Sequence, residues 1–180
     1  MFRKIIADDE LICGVIQGGF SKCDEVIDYC ERTGYEAALI RNELGESELD
    51  KTLRLAQKCR IPDTYQDEIF RACLPFLPTD SCTPVGLSRM HVVKYEPGNY
   101  FKKHYDECYQ VDNKWAELTV IVYLNDNFEG GETIFHELDK EYVYKPTKGD
   151  IVIFDHDYLH EGCIVREGSK YIIRCDVLFA

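Results

Sequence analysis

Beyond Gly86 the hydrophobic positions fall in short runs separated by turn residues; before it they recur mostly at helical spacing. The runs are Leu87–Tyr95, Leu118–Leu124, Glu132–Phe135, Tyr142–Tyr144, Asp150–Phe154 and Lys170–Phe179. Val, Ile, Tyr and Phe dominate them, as suits a pleated, half-buried surface. Pro97-Gly98, Asn125-Asp126-Asn127, Gly130-Gly131 and Lys148-Gly149 punctuate them. Many short strands with such punctuation predict a β-sandwich or jelly roll. Upstream, Ser21-Lys22-Cys23-Asp24 reads as a capping box opening a helix through about Arg32, with Gly34 ending it. Residues 35–41 read as a short strand, and Asn42 to Arg60 shows no clean period. Thr64 to Asp67 caps a second helix, with Ile69, Phe70, Cys73 and Leu77 on one face and Pro75 disturbing its last turn. The expectation is an α+β chain of one domain, 1–180, with mainly helical support over 1–85 and a β core over 86–180.

Charge and cysteines narrow the class. Thirty-three acidic against 21 basic residues give a net charge of −12. Such a surface repels polyphosphate, so no nucleic-acid partner is expected, whereas a basic polypeptide would be attracted. The nine cysteines are odd in number and contain no Cys-x-x-Cys pair, which suits neither a zinc ribbon nor a disulfide framework. They read as small buried hydrophobes in a reducing compartment. The apolar start of the chain dies at Asp8-Asp9-Glu10, so no secretory signal is read, and no run approaches the roughly 20 apolar residues of a membrane span. The expectation is a soluble, cytoplasmic protein with no membrane partner; its oligomeric state stays open.

The candidate chemistry is a trio. His104 and Asp106 stand two apart, so an extended strand points both to one side. His160 follows 56 residues later, and Lys170 ten residues after that. Two histidines and one carboxylate can occupy one face of an octahedral Fe(II) and leave positions open. A lysine at fixed distance beyond suits an acidic cosubstrate. On their own, His104 and Asp106 also read as an exposed polar pair, and His156 rivals His160. Residues 107–117, with Cys108, Tyr109 and Trp115, read as a mobile substrate loop beside this site.

The surrounding sequence resembles the prolyl 4-hydroxylase family of Fe(II)/2-oxoglutarate dioxygenases. The likeness lies in Val93 to Phe101 before the His104/Asp106 pair, in Leu118 to Asn125, and in Gly130-Gly131-Glu132-Thr133-Ile134-Phe135. It continues in Lys148-Gly149-Asp150 to Phe154 and in Gly168 to Leu178. The resemblance implies a double-stranded β-helix with N-terminal helices packed on one sheet. It implies Fe(II) on His104, Asp106 and His160, and 2-oxoglutarate held by Lys170, with Tyr95, Tyr123 and Thr133 lining its pocket. Arg174 matches a basic position whose spacing implies a supporting contact. Ile164 departs from the proline common after the distal histidine.

The activity so implied is hydroxylation of a peptidyl proline in a polypeptide substrate. It consumes O2 and yields succinate and CO2, with ascorbate as reductant. A lysyl or free amino-acid hydroxylase of the same superfamily is the alternative within the class. A non-catalytic binding module on this fold is the alternative outside it, and it would ordinarily lack one of the four residues His104, Asp106, His160 and Lys170.

Overall fold

A computed structural model describes residues 1–8, 11–41, 47–79 and 82–180. The described elements are β1 (Phe2–Lys4), β2 (Cys13–Ile16), α1 (Cys23–Thr33), β3 (Glu36–Ala37), β4 (Ile40–Arg41), β5 (Ser47–Glu48), β6 (Arg54–Leu55), β7 (Gln57–Arg60), α2 (Gln66–Cys73), β8 (Pro84–Leu87), β9 (His91–Tyr95) and β10 (Tyr100–His104). They continue as β11 (Tyr109–Val111), β12 (Lys114–Tyr123), β13 (Glu129–Gly130), β14 (Thr133–Glu137), β15 (Lys140–Tyr144), β16 (Ile151–Asp155), β17 (Leu159–Gly162), β18 (Val165–Glu167) and β19 (Lys170–Phe179).

Two antiparallel sheets face each other. The larger runs β1-β2-β16-β12-β19-β9-β7-β3, with β11 beside β12 and β8 beside β19. The smaller runs β15-β14-β17-β10-β6. This is the jelly-roll arrangement that the alternating runs predict. Alternation along β12 sorts its residues between two cores. Val120 and Val122 point to an outer cluster shared with Val92, Ile153, Ile173 and Val177, and with Val26 and Cys30 of α1 and Ile69 and Cys73 of α2. Ile121 and Tyr123 point to an inner cluster with Val93, Tyr95, Val152, Phe154 and Ile172, and with Phe135 from the smaller sheet. Each fully buried Val or Ile here contributes roughly 1.5–3 kcal/mol.

The first half is mixed rather than mainly helical. Cys13–Ile16 is a fully buried strand paired with β16, and β6 and β7 each join a sheet. An apolar run of four residues carries no period of its own, so its strand character comes from the partner it meets. Of the irregular stretch Asn42 to Arg60, residues 42–46 lie outside the described residues. The capping box also needs correction: α1 begins at Cys23 with no side-chain cap. Ser21 instead donates from N and Oγ to Glu68 Oε1, at 3.0 and 2.8 Å, because α2 brings that carboxylate alongside. Gly34 does end α1, its N–H donating to Cys30 O.

Residues 107–117 are mostly a hairpin, not a loop. β11 pairs with β12 through Tyr109↔Ala116 and Val111↔Lys114. Asp112 and Asn113 both take positive φ, the pattern of a tight turn matched to strand twist. All nine cysteines are free; six are buried, Cys163 is half-buried, and Cys82 and Cys108 are exposed. No described helix is long and apolar enough to cross a membrane.

Candidate metal and cosubstrate site

The site forms between the sheets, where β10 and β17 pair. His104 and His160 are direct cross-strand partners, so antiparallel pairing closes the 56-residue gap between them. A register shift between Phe101 and His104 bends β10 at this point, and Asp106 follows just past the strand end. Ligand atoms of His104, Asp106 and His160 all lie within 4.8 Å of one another. The Nε2 atoms of His104 and His160 each stand 3.8 Å from an Asp106 oxygen. Tyr105, between the ligand pair, is exposed.

Both imidazoles have a geometry that suits metal ligation. His104 Nδ1–H donates to Lys102 O at 2.7 Å, and His160 Nδ1–H to Tyr158 O at 2.9 Å. Each bond fixes the tautomer that leaves the Nε2 lone pair facing the cluster. Phe101 stacks on the His104 ring at 3.5 Å between centroids, and Phe154 meets His160 edge-on. Burial, reinforced by the neighbouring His160, pushes His104 down to about 3, and burial lowers His160 as well. Asp106 goes the other way for a carboxylate in a dry place. Burial would raise it, but Arg174, the two histidines and the Thr119 hydroxyl hold it well below the usual range. Two neutral imidazoles and one ionised carboxylate make a donor set that fits a divalent cation.

Lys170 opens β19 opposite Tyr95. It is 3% exposed, and its Nζ donates to Gly131 O at 2.6 Å. No described carboxylate pairs with it. Burial pushes it down to about 8, against weaker support from Cys163 and Glu132. Its Nζ sits 5.5 Å from the Tyr95 ring centre and 5.4 Å from that of Tyr123, and Tyr123 OH shares a 2.6 Å hydrogen bond with Thr133 Oγ1. A buried ammonium with a carbonyl and two ring faces but no counter-ion fits an anionic ligand. Gly130 and Gly131 make room for it: both take positive φ, a Cβ on Gly130 would collide with Ile164 O, and one on Gly131 would stand 3.2 Å from Lys170 Cδ. His104, Asp106, His160, Lys170, Tyr95 and Thr133 all line one cavity of about 850 Å3.

Residues 90–175, which contain the trio and Lys170, match the family model of the 2OG-Fe(II) oxygenase superfamily. Over those residues the chain is similar to that superfamily. The chain is 28% identical over 175 residues to a protein of Acanthamoeba polyphaga mimivirus provisionally named as a prolyl 4-hydroxylase, covering 84% of this chain and 67% of that one. It is 31% identical over 106 residues to prolyl 4-hydroxylase 1 of Arabidopsis thaliana, covering 46% of this chain and 38% of that one. Among solved structures it resembles the viral collagen prolyl hydroxylase of Paramecium bursaria Chlorella virus-1 in complex with 2OG, with TM-score 0.67, 24% identity and coverage of 92% and 95%. A Pseudomonas putida prolyl-4-hydroxylase aligns with TM-score 0.64, 20% identity and 89% of each chain. These structural likenesses establish the fold.

His156, the rival histidine, is excluded from the trio. It is 1% exposed and its Nε2 lies 3.3 Å from Asp176 Oδ1 instead. The sequence reading passed over Thr119 and Asp176. Thr119 Oγ1 donates to Asp106 Oδ2 at 2.5 Å. Asp176 is fully buried and accepts from Arg174, Tyr109, Ser88 and His156. A polar residue at every inward position of β19 except Ile172 and Leu178 was the available signal.

Proposed function

We propose that the chain is an Fe(II)- and 2-oxoglutarate-dependent dioxygenase that hydroxylates a prolyl residue of a polypeptide. The observation that carries this reading is one cavity holding both a three-atom metal-ligand cluster and a buried, uncompensated lysine. The choice of proline rests on the names of the viral, plant and bacterial relatives. Fe(II), when bound, supplies the activation of dioxygen that protein side chains lack.

The chain's residues supply the rest. His104 and His160 give Nε2 lone pairs, and Asp106 gives a carboxylate that stays ionised through Arg174 and Thr119. Lys170 takes the far carboxylate of 2-oxoglutarate by a charge-assisted hydrogen bond. Tyr95 and Thr133 form the wall beside it, Tyr123 stands behind them with its hydroxyl on Thr133 rather than lining the cavity, and α1 and α2 back the large sheet from outside. Phe101, Phe135 and Phe154 keep the ligand histidines dry, which limits wasteful turnover. In balance, substrate, O2 and 2-oxoglutarate give hydroxylated substrate, succinate and CO2, with ascorbate as reductant. Six buried thiols among nine free cysteines support a reducing compartment such as the cytoplasm.

The test is succinate formation from 2-oxoglutarate with Fe(II) and ascorbate, with and without proline-containing peptides. Peptide-stimulated succinate with one added oxygen on proline is the expected result. Succinate that free amino acids or lysyl peptides stimulate, and prolyl peptides do not, would replace the substrate assignment. No succinate from iron-loaded protein would overturn the dioxygenase reading.

A further inference from the structure

The concave face of the large sheet carries a second charged feature beyond the metal-ligand trio and Lys170. Strands β7, β9 and β19 present Arg60, His91 and Arg174 side by side, through the register pairs Arg60↔His91 and His91↔Arg174. Lys58 stands one row along, opposite Val93. Lys58, His91, Arg174 and Arg89 line the same cavity as the trio.

Directly opposed residues on one face have Cβ atoms about 4.5–5.5 Å apart, and like charges there repel. Arg174 is neutralised by Asp106 at 3.3 Å and Asp176 at 2.7 Å. Its neighbours are not so provided. Among the described residues no carboxylate lies within ion-pair distance of Arg60 or Arg89, both exposed, and His91 has no hydrogen-bond partner. Lys58 meets only Glu36 at 3.4 Å, a side chain 74% exposed, which makes a weak pair. Burial first, then Lys58 and Arg60, push the His91 imidazole below its ordinary range; Arg174 adds to this and Glu36 opposes it. The other acidic lining residues, Glu107, Asp112 and Glu161, sit on different elements. A chain of net charge −12 thus gathers basic side chains on one wall of its cavity, with Arg89 unpaired among the described residues and Lys58 only weakly paired.

That wall is too far from Lys170 in register to serve the same ligand, Lys170 and Arg174 standing four positions apart on β19. The cavity, at about 850 Å3, has the size of a site for a much larger ligand than a five-carbon diacid. We propose that Lys58, Arg89 and His91, which line the cavity, form with the neighbouring Arg60 an anion subsite that takes an acidic side chain of the polypeptide substrate. The inference rests on the hydroxylase reading above and deepens it. Arg174 touches the ligand Asp106, and His91 and Arg60 lie one and two strands further out. Two strand spacings are roughly 10 Å, or about three residues of extended peptide. The recognised acid therefore stands within about three residues of the hydroxylated one. The overall acidity of the chain then repels non-specific anions, while this wall selects the one placed correctly.

The test is binding before turnover. Three fluorescent peptides share one proline and differ by Asp, Asn or Lys at the positions two and three residues to each side. Anisotropy titration of the iron-loaded protein should show the Asp peptide bound about tenfold tighter than the Asn peptide. Added salt should shrink that preference. In Arg60→Ala/Lys58→Ala it should fall to near parity, and in Arg60→Glu/Lys58→Glu the Lys peptide should bind best. Both pairs sit at the accessible end of β7, and an unchanged melting curve certifies the fold. Equal binding of the Asp and Asn peptides, a preference untouched by these variants, or no binding of any peptide would overturn the subsite. Succinate release read in the same samples separates the two claims. Acid preference without succinate leaves the subsite and sinks the hydroxylase; succinate without acid preference does the reverse.

Discussion

Arg174 holds its Nη2 3.3 Å from Asp106 Oδ1 although the two residues lie 68 positions apart in the chain. The same guanidinium reaches Asp176 Oδ2 at 2.7 Å, so one cation bridges the carboxylate of the candidate metal cluster and a fully buried one. Replacing it leaves two carboxylates facing each other with little water to screen them. Arg174→Met should therefore weaken Fe(II) or Co(II) affinity by about 10–100-fold, the usual cost of losing an orienting outer contact. Arg174→Lys should recover part of it. Metal titration by isothermal calorimetry checks this, and an unchanged affinity in the methionine variant would remove the role.

The two buried histidines near the trio should separate cleanly. His160→Ala should abolish metal-dependent succinate formation and metal binding, since its Nε2 completes the cluster. His156→Gln should retain metal, because the His156 ring faces Asp176 and not the trio. Equal loss of metal in both would contradict the geometry.

Lys170 sets a pH dependence. Its folded value, about 8, lies below the ordinary 10.5. The folded, ligand-free protein therefore releases this proton before the unfolded chain does. Below about pH 8 the charged, buried ammonium costs stability in full, and the cost fades as pH rises from about 8 to 10.5. The proposed contact with 2-oxoglutarate uses the ammonium, so kcat/KM for 2-oxoglutarate should fall above about pH 8. Lys170→Met should raise the ligand-free melting point by a few degrees, roughly 1–2 kcal/mol, and lose the further rise that 2-oxoglutarate gives. A methionine variant still stabilised by 2-oxoglutarate would exclude Lys170 from that contact.

Gly131 lies between Lys170 and the β18 wall. With φ at +65°, a Cβ would stand 3.0 Å from Val165 Cγ2 and 3.2 Å from Lys170 Cδ. Gly131→Ala should cost about 1–2 kcal/mol in backbone strain alone and raise KM for 2-oxoglutarate by displacing the lysine. Thermal melts and steady-state kinetics report the two effects separately.

Tyr109 ties the β11–β12 hairpin to the interior by donating to Asp176 Oδ2 at 2.8 Å. Tyr109→Phe should speed amide exchange across residues 109–115 and raise KM for peptide with little change for 2-oxoglutarate. Unaltered exchange there would mean that backbone pairing alone holds the hairpin.

Much of this site was legible one residue at a time. The spacing of His104 and Asp106, the lysine ten residues past His160, and the Gly130-Gly131 pair are local features, and local sterics and side-chain chemistry give them meaning without a fold. The alternation along Leu118–Leu124 likewise reports two buried faces. The sequence by itself determined the donor set, the strand-rich second half and the start of β19 at Lys170. Only the tertiary structure decided which histidine faces Asp106, that Cys13–Ile16 is a core strand, and that Thr119 and Arg174 support Asp106. The reason is register: periodicity tells which face of an element is buried, but not what lies opposite. Arg174 meets His91 and Cys13 meets Phe154 because antiparallel ladders align residues 83 and 141 positions apart.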